Sequence, residues 1–357
     1  MKKKLISVLL CGVMAVSLAA CSGGGQESGN TGANGKEAEA SGEEAGVNGE
    51  RAGANGELEK ITFALDWAPN TNHTGLYVAE NKGYFEEAGF DVEFVQANSG
   101  NGSELVGVGQ AEFGVDFQDS LANTFASDNP VPVTAVAAII QHNTSGIITL
   151  AENNIQSPKD LEGFHYATWE SDVEQALMRY VVEADGGNFD NVILDPVTVD
   201  DAVAGLQSNV DAVWIYYAWD GIRAELSDTD TNFFFFKDYC QDMDEYSPVV
   251  IANNDYLEAN PERAKAFLGA VKKGYEYAME NPEDAAAILC EEVPELDKEL
   301  ILESQKWLAD QYQADAPYWG YIDAKRWDAC YRWLYEQKLI PKEIPSGYGC
   351  SNDYLSE

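Results

Sequence analysis

From Ile61 to Ala252 the chain repeats one pattern, a short apolar run followed by a helical stretch, and this alternation constrains the fold more than any other feature. Residues 61–65, 91–95, 113–115 and 133–140 read as strands, with helices at 75–81, 104–108 and 120–126 between them. A second unit opens near Ile155. There Ser157-Pro158-Lys159-Asp160-Leu161 is a capped turn with Pro at the first helical position. Strands at 165–168, 192–197 and 212–215 follow, with helices at 173–183 and 200–207. Phe233 to Phe236 are four consecutive aromatics and read as a buried strand, and 248–252 is a further apolar strand. Beyond it the sequence is helical at 261–281, 282–291, 298–312 and 323–336. The pattern is that of an α/β protein with a mostly parallel sheet, in which ligands gather at the loops that follow strand C-termini.

The first 57 residues have another texture. Lys2, Lys3 and Lys4 precede an apolar stretch from Leu5 to Ala20, too short for a comfortable membrane span and rich in small residues. This reads as a secretory signal over 1–20. The Leu18-Ala19-Ala20-Cys21 ending resembles the bacterial lipoprotein box, which implies cleavage before Cys21 and lipid on that residue. Residues 22–57 are Gly, Asn, Ser, Ala and Glu with almost no apolar side chain, so they cannot bury enough surface to offset their ordering entropy. A tether over 21–58, between a lipid anchor and a folded body, is the expectation. Of six cysteines, Cys240, Cys290, Cys330 and Cys350 would remain in the body. No C-x-x-C spacing occurs, so neither a metal site nor a redox motif is expected, and no cofactor. Cys330 and Cys350 are the closest pair for a disulfide, and free buried thiols are the other reading. The formal net charge of −39 opposes nucleic acid and anionic lipid as partners.

One loop carries more information than the rest. Leu65-Asp66-Trp67-Ala68-Pro69-Asn70-Thr71-Asn72-His73-Thr74-Gly75-Leu76-Tyr77-Val78-Ala79 closely resembles a signature of the solute-binding proteins similar to fungal thiamine-pyrimidine synthases. Within that family it looks most like the branch that binds formylaminopyrimidine, a thiamine salvage precursor. Gln141-His142-Asn143-Thr144-Ser145-Gly146, Trp214-Ile215-Tyr216-Tyr217-Ala218-Trp219-Asp220-Gly221, Gly274-Tyr275-Glu276-Tyr277-Ala278 and 294–300 agree with it in order. The resemblance implies a two-lobed, periplasmic-binding-protein-like fold of type II with two chain crossovers. Lobe 1 would take 59–149 plus 249–357 and lobe 2 would take 150–248, with the ligand between them. It further implies delivery of that ligand to the permease of an ABC importer and its ATPase, by an extracytoplasmic, lipid-anchored monomer.

An aminopyrimidine offers a flat π-face, ring nitrogens that accept and an amine that donates. A pocket for it needs aromatic walls and a few fixed polar groups, preferably carboxylates. Asp66, Trp67, Asn70 and His73 lie in the loop after the first strand, and Tyr77 lies one helical turn beyond His73. In lobe 2, Trp169 follows a strand and Glu174 opens the next helix, matching a Trp and a Glu of the family pattern. Glu174 is the favoured partner for the amine, and a first-turn Glu complementing the helix dipole is its structural reading. Tyr216 and Tyr217 point to opposite faces of a strand end, so one of them should reach the cleft. Asp220 follows them, with Trp219 ranked lower. Tyr246 precedes the returning strand and could line the hinge. Asp116 and Gln118 follow a strand and could reach the ligand.

The related fungal enzymes hold pyridoxal phosphate through a Lys and consume one of their own His residues. The matching segment here places Asp116 and Ser120 at those positions, and the Cys-rich iron motif is missing. Without the amine there is no Schiff base, so the sequence reads as a binding protein and not an enzyme. A carrier of another flat heterocycle such as riboflavin is the nearest alternative. An anion carrier is disfavoured, because Lys and Arg are missing from the cleft motifs. A purely structural lipoprotein would leave those motifs unexplained.

Overall fold

The structure, a computed structural model, describes residues 58–97 and 102–355. The leader, Cys21 and the tether lie outside the described residues. Among the described residues, ten strands form two five-stranded sheets. The first has the order β2-β1-β3-β10-β4 and contains β1 (Glu59–Leu65), β2 (Phe90–Gln96), β3 (Phe113–Asp116), β4 (Val133–Ala138) and β10 (Val249–Asn253). The second has the order β7-β6-β8-β5-β9, with β5 (Ser145–Leu150), β6 (His165–Thr168), β7 (Ile193–Pro196), β8 (Ala212–Tyr216) and β9 (Thr231–Phe235).

In each sheet one inner strand runs against its neighbours. β10 is antiparallel to β3 and β4, and β5 is antiparallel to β8 and β9, while β1–β2, β1–β3, β6–β7 and β6–β8 are parallel. The expected mostly parallel sheet is thus present twice, each time with a reversed strand that the sequence pattern does not reveal. β5 also moves a boundary. It belongs to the second sheet, so the chain crosses between lobes at 139–144, ahead of the expected 149/150, and returns at 236–248.

Local chemistry explains the helices that flank these sheets. Pro261 and Pro282 open the helices Pro261–Glu280 and Pro282–Glu292, where the lost amide has no intrahelical partner. Asp297 and Asp323 cap the helices Lys298–Ala309 and Ala324–Glu336 by accepting from the amides two and three residues on. In the first lobe Phe267 stacks on Phe113 at 4.3 Å and on Phe85 at 5.2 Å. Helix Thr74–Asn81 crosses helix Pro261–Glu280 with glycines at the contact. A Cβ on Gly274 would stand 2.0 Å from the Gly75 carbonyl oxygen, and one on Gly75 would stand 2.3 Å from the Tyr275 ring. Helix Ala324–Glu336 packs Trp327, Trp333 and Leu334 into a cluster that includes Ala64 and Ile251 of the first sheet and Ile147 and Tyr166 of the second. The four body cysteines are free thiols, Cys350 half-buried and the others buried. No helix among the described residues is long and apolar enough to cross a membrane.

The two crossovers are pinned to each other. His142 of the first contacts Asp244 of the second through Nδ1 at 2.6 Å, and its Nε2 meets Asp315 at 3.0 Å. The Asn143 amide donates to Asp244 at 3.0 Å, and the Asn143 side chain donates to the Met243 carbonyl at 3.0 Å. The Arg326 guanidinium donates to the Gln141 carbonyl at 2.6 Å and lies 3.8 Å from Asp244. Asp244 raises the His142 pKa above its ordinary value, and burial and Arg326 oppose this less strongly.

A raised folded-state pKa means that the protonated ring is the stabilising form. Its contribution is therefore present in full below the unfolded pKa of about 6.5 and is lost as pH rises through the higher folded value. Urea unfolding of wild type and His142→Gln at about pH 6 and about pH 9 should show a stability difference that is larger at the lower pH.

Candidate ligand-binding cleft

The loop after β1 is held rigidly. Asn70 accepts from the Asn72 amide at 2.8 Å, while its own amide donates to His73 Nδ1 at 3.3 Å. Tyr312 donates to the Thr71 carbonyl at 2.6 Å and Tyr275 to the Asn72 carbonyl at 2.7 Å. Because His73 Nδ1 accepts, its Nε2 carries the proton and donates to Asp66 Oδ1 at 2.7 Å. The fully buried His73 thus fixes the carboxylate of Asp66, itself only 3% exposed. Trp67, next in the chain, is 65% exposed on this braced loop. An indole left so open on a fixed backbone is an unusual use of apolar surface and marks a contact surface.

Across from it stand Trp169, after β6, and Tyr216, at the end of β8. Both are exposed into a cavity of about 690 Å³. Asp66, Trp67, Asn70, Phe117 and Leu296 of the first lobe line the cavity, together with Trp169, Tyr216, Trp219 and Asp220 of the second. Thr144 and Ser247 join them from the two crossovers. The π-helical turn Tyr217–Gly221 carries Trp219 and Asp220 to the rim. Burial, then the nearby Asp201, push the Asp220 carboxyl up to about 6 against the pull of Arg223. Burial, followed by Asp119 and Glu245, raises the Tyr216 hydroxyl far above its ordinary range. Among the described residues no Lys or Arg lines the cavity. Aromatic faces, carboxylates and amide or hydroxyl oxygens make a site for a flat molecule rich in hydrogen-bond donors.

Asp66, Trp67, Asn70, Trp169, Tyr216 and Asp220 are therefore brought together, and the other seven expected site residues are not. His73 lies behind Asp66. Tyr77 turns into a side cluster with Leu289, Val293 and Ile301 at its back, where burial and Glu292 push its hydroxyl up to about 12. Asp116 accepts from the amides of Ser103 at 3.0 Å and Phe117 at 2.7 Å. Burial pushes its carboxyl up to about 6, and these hydrogen bonds oppose the rise. Gln118 bridges the Trp327 carbonyl and the Tyr246 amide, and the Tyr246 hydroxyl accepts from the Asp323 amide at 2.7 Å. Tyr217 donates to Glu225 and packs on Phe233 and Trp307. Glu174, the favoured ligand carboxylate, is 2% exposed and does not line the cavity. It accepts from Tyr166 Oη at 2.6 Å, Thr168 Oγ1 at 2.9 Å and the amides of Trp169 and Ser171, so it builds the turn that presents Trp169.

Phe117, Thr144, Ser247 and Leu296 were not foreseen. Thr144 and Ser247 stand just ahead of the reversed strands, so strand direction is the signal that would have found them. Phe117 was within reach, since it follows β3 beside Asp116.

Glu174→Ala leaves the buried hydroxyls of Tyr166 and Thr168 without their acceptor, each costing about 1–3 kcal/mol when unpaired, while the amides of the exposed Trp169 and Ser171 can turn to water. Urea unfolding should show a loss of about 2 kcal/mol or more, against about 1 kcal/mol for Tyr166→Phe, which removes one donor.

Comparison with known proteins agrees with this architecture. The NMT1/THI5-like family model matches residues 70–285. A formylaminopyrimidine-binding protein of Halalkalibacterium halodurans is 30% identical over 78% of this chain and 85% of its own length. A 4-amino-5-hydroxymethyl-2-methylpyrimidine phosphate synthase of Saccharomyces cerevisiae is 26% identical over 84% of this chain and 88% of its own. Among solved structures, the periplasmic aliphatic sulphonate binding protein SsuA of Escherichia coli superposes with a TM-score of 0.63 at 18% identity. That match covers 81% of this chain and 96% of the other and supports the fold alone. With its two lobes and two crossovers, the chain belongs to the NMT1/THI5-like family and has the periplasmic-binding-protein fold.

Proposed function

We propose that this protein is the extracytoplasmic solute-binding component of an ABC importer and that its ligand is a pyrimidine precursor of thiamine, of the formylaminopyrimidine or hydroxymethylpyrimidine type. The observation that carries this reading is a cleft walled by Trp67, Trp169, Tyr216 and Trp219 whose charged groups, Asp66 and Asp220, are both carboxylates. A ring stacks on the indoles, and its amine donates to carboxylate or amide oxygen. The formylaminopyrimidine-binding relative supports the ligand class. Ligand contacts made by both lobes favour the closed state, and the closed form is what a permease and its ATPase would receive.

The synthase relatives favour a second reading, in which the chain makes the pyrimidine. Against it, Asp116 stands where the resemblance puts the required Lys, and it is fully buried and bonded to two backbone amides.

Calorimetric titration tests the ligand class. One-to-one binding of 4-amino-5-hydroxymethyl-2-methylpyrimidine or its formylaminomethyl counterpart, with little heat from riboflavin, is expected. Trp67→Ala should weaken binding by about 1–3 kcal/mol, or about 5- to 150-fold, the scale of one buried aromatic face. Silence from every pyrimidine would remove the ligand and leave the fold. Export and lipid anchoring rest on residues 1–21. Cys21→Ser should move the protein from the membrane fraction to the soluble extracytoplasmic fraction, as followed by immunoblotting.

A further inference from the structure

The two lobes also meet away from the crossovers. Helix Lys298–Ala309 of the first lobe carries Ile301, Ser304 and Trp307 at three-residue spacing, so the three side chains share one ridge. The π-helical turn Tyr217–Gly221 of the second lobe, which runs on into the short helix Ile222–Glu225, lies against that ridge. Ser304 is fully buried, donates to the Ala218 carbonyl and lies 2.7 Å from the Thr71 hydroxyl. Because the Ser304 proton goes to Ala218, Thr71 Oγ1 donates to Ser304 Oγ. Further along the helix, Trp307 packs on the Tyr217 ring at 5.1 Å. Trp219 packs against the side cluster that includes Ile301, Tyr77 and Leu289.

Two features tie this contact to the ligand site. Thr71 and Ala218 both line the cavity, one from each lobe, whereas Ser304 and Trp307 do not. The relay from Thr71 through Ser304 to Ala218 thus joins the two walls from outside the cavity. It holds the backbone next to Asn70 on one wall and next to Trp219 on the other. The second feature is topological. The chain passes between the lobes at 139–144 and 236–248, and neither segment includes the residues in contact here. Covalent connection therefore does not enforce the contact. Rotation of the lobes about the crossovers breaks the Ser304–Ala218 bond and parts Trp307 from Tyr217. Contacts that exist in only one of two arrangements bias the equilibrium between them. A π-helical turn is rare, and functional sites are where such turns are mostly found.

We propose that Ser304 and Trp307 are positioning residues that latch the second lobe onto the first and so set how long a ligand stays in the cleft. This deepens the proposed role as a solute-binding protein and rests on that reading. Neither residue lines the cavity, and both act through the π-helical turn that carries Trp219 and Asp220. When the lobes part, water takes the place of each lost hydrogen-bond partner, so the latch holds modestly and can release. Loss of the latch shifts the lobes toward the open arrangement. A bound ligand then escapes more often, while capture by open lobes is unaffected.

The experiment pairs small-angle X-ray scattering of the ligand-free full chain with stopped-flow kinetics of 4-amino-5-hydroxymethyl-2-methylpyrimidine, followed by tryptophan fluorescence. Wild type, Ser304→Ala, Trp307→Ala and Trp307→Phe are compared, each with its urea midpoint. The same N-terminal segment is present in every sample, so differences in scattering report the lobes. Ser304→Ala and Trp307→Ala should show a larger radius of gyration than wild type. They should release the pyrimidine about tenfold faster, the scale of one hydrogen bond or ring contact, with association changed by less than about twofold. Trp307→Phe keeps a ring against Tyr217 and should stay close to wild type. A merely structural role would lower the urea midpoint and leave the scattering and release rate of the folded protein as they are. Unchanged scattering or an unchanged release rate in a folded Ser304→Ala or Trp307→Ala overturns the proposal, as does a Trp307→Phe protein as impaired as Trp307→Ala. Trp307→Ala decides the matter if Ser304→Ala does not fold. If wild type binds no pyrimidine, the ligand falls and the scattering still decides the latch. If wild type and variants bind and release alike, the latch falls and the importer role stands.

Discussion

The contact between the two crossovers, His142 and Asn143 against Met243 and Asp244, is the constraint around which the molecule is arranged. A chain that leaves the first sheet from the end of β4 enters the second lobe from the cleft side, so β5 must run against β8 and β9. On the return, β10 must run against β3 and β4 for the same reason. Parallel strands meet the cleft with their C-terminal ends, as open α/β sheets require. The reversed strands meet it with their N-terminal ends, and this is how Thr144 and Ser247 reach the same cavity as Trp67, Trp169 and Tyr216.

The same geometry explains what could be read from the sequence. Alternation of apolar runs and helices gave most of the strands and nearly all the helices in order, because period and length suffice for that. It passed over β5, whose Ser145-Gly146 start looks like a turn although the strand is buried for most of its length. The loop after β1 was legible as a site because Trp67, Asn70 and Asp66 share one short segment. Tyr77 was not, since helical spacing gives direction and not depth, and its ring turns into a side cluster. Glu174 shows a further limit. Its position at the start of a helix after a cleft strand is shared by ligand carboxylates and by structural ones, and only its four donors tell which it is.

Charge in this protein has two roles. The net −39 is mostly solvated surface, where each carboxylate is nearly indifferent to stability. The interior holds several acids whose placement is costly, with Asp116 and Asp220 pushed up to about 6 and Glu245 raised well above its ordinary value by burial. Asp116 is answered by backbone amides and Asp66 by a histidine. Asp220 is less well answered, and it lines the cavity. Buried groups left partly unsatisfied are where a structure departs from maximal stability, and function is a common reason.

Trp67 and Trp169 stand 65% and 49% exposed on braced loops facing one cavity. Water against these faces finds no strong acceptor in the indole rings. A flat ligand entering the cavity would displace that water, so part of the attraction would reside in the solvent. Such association carries a negative change in heat capacity, and its enthalpy becomes more favourable as the temperature rises. The two indoles thus make the cleft's appetite for its ligand a property of water as much as of the protein.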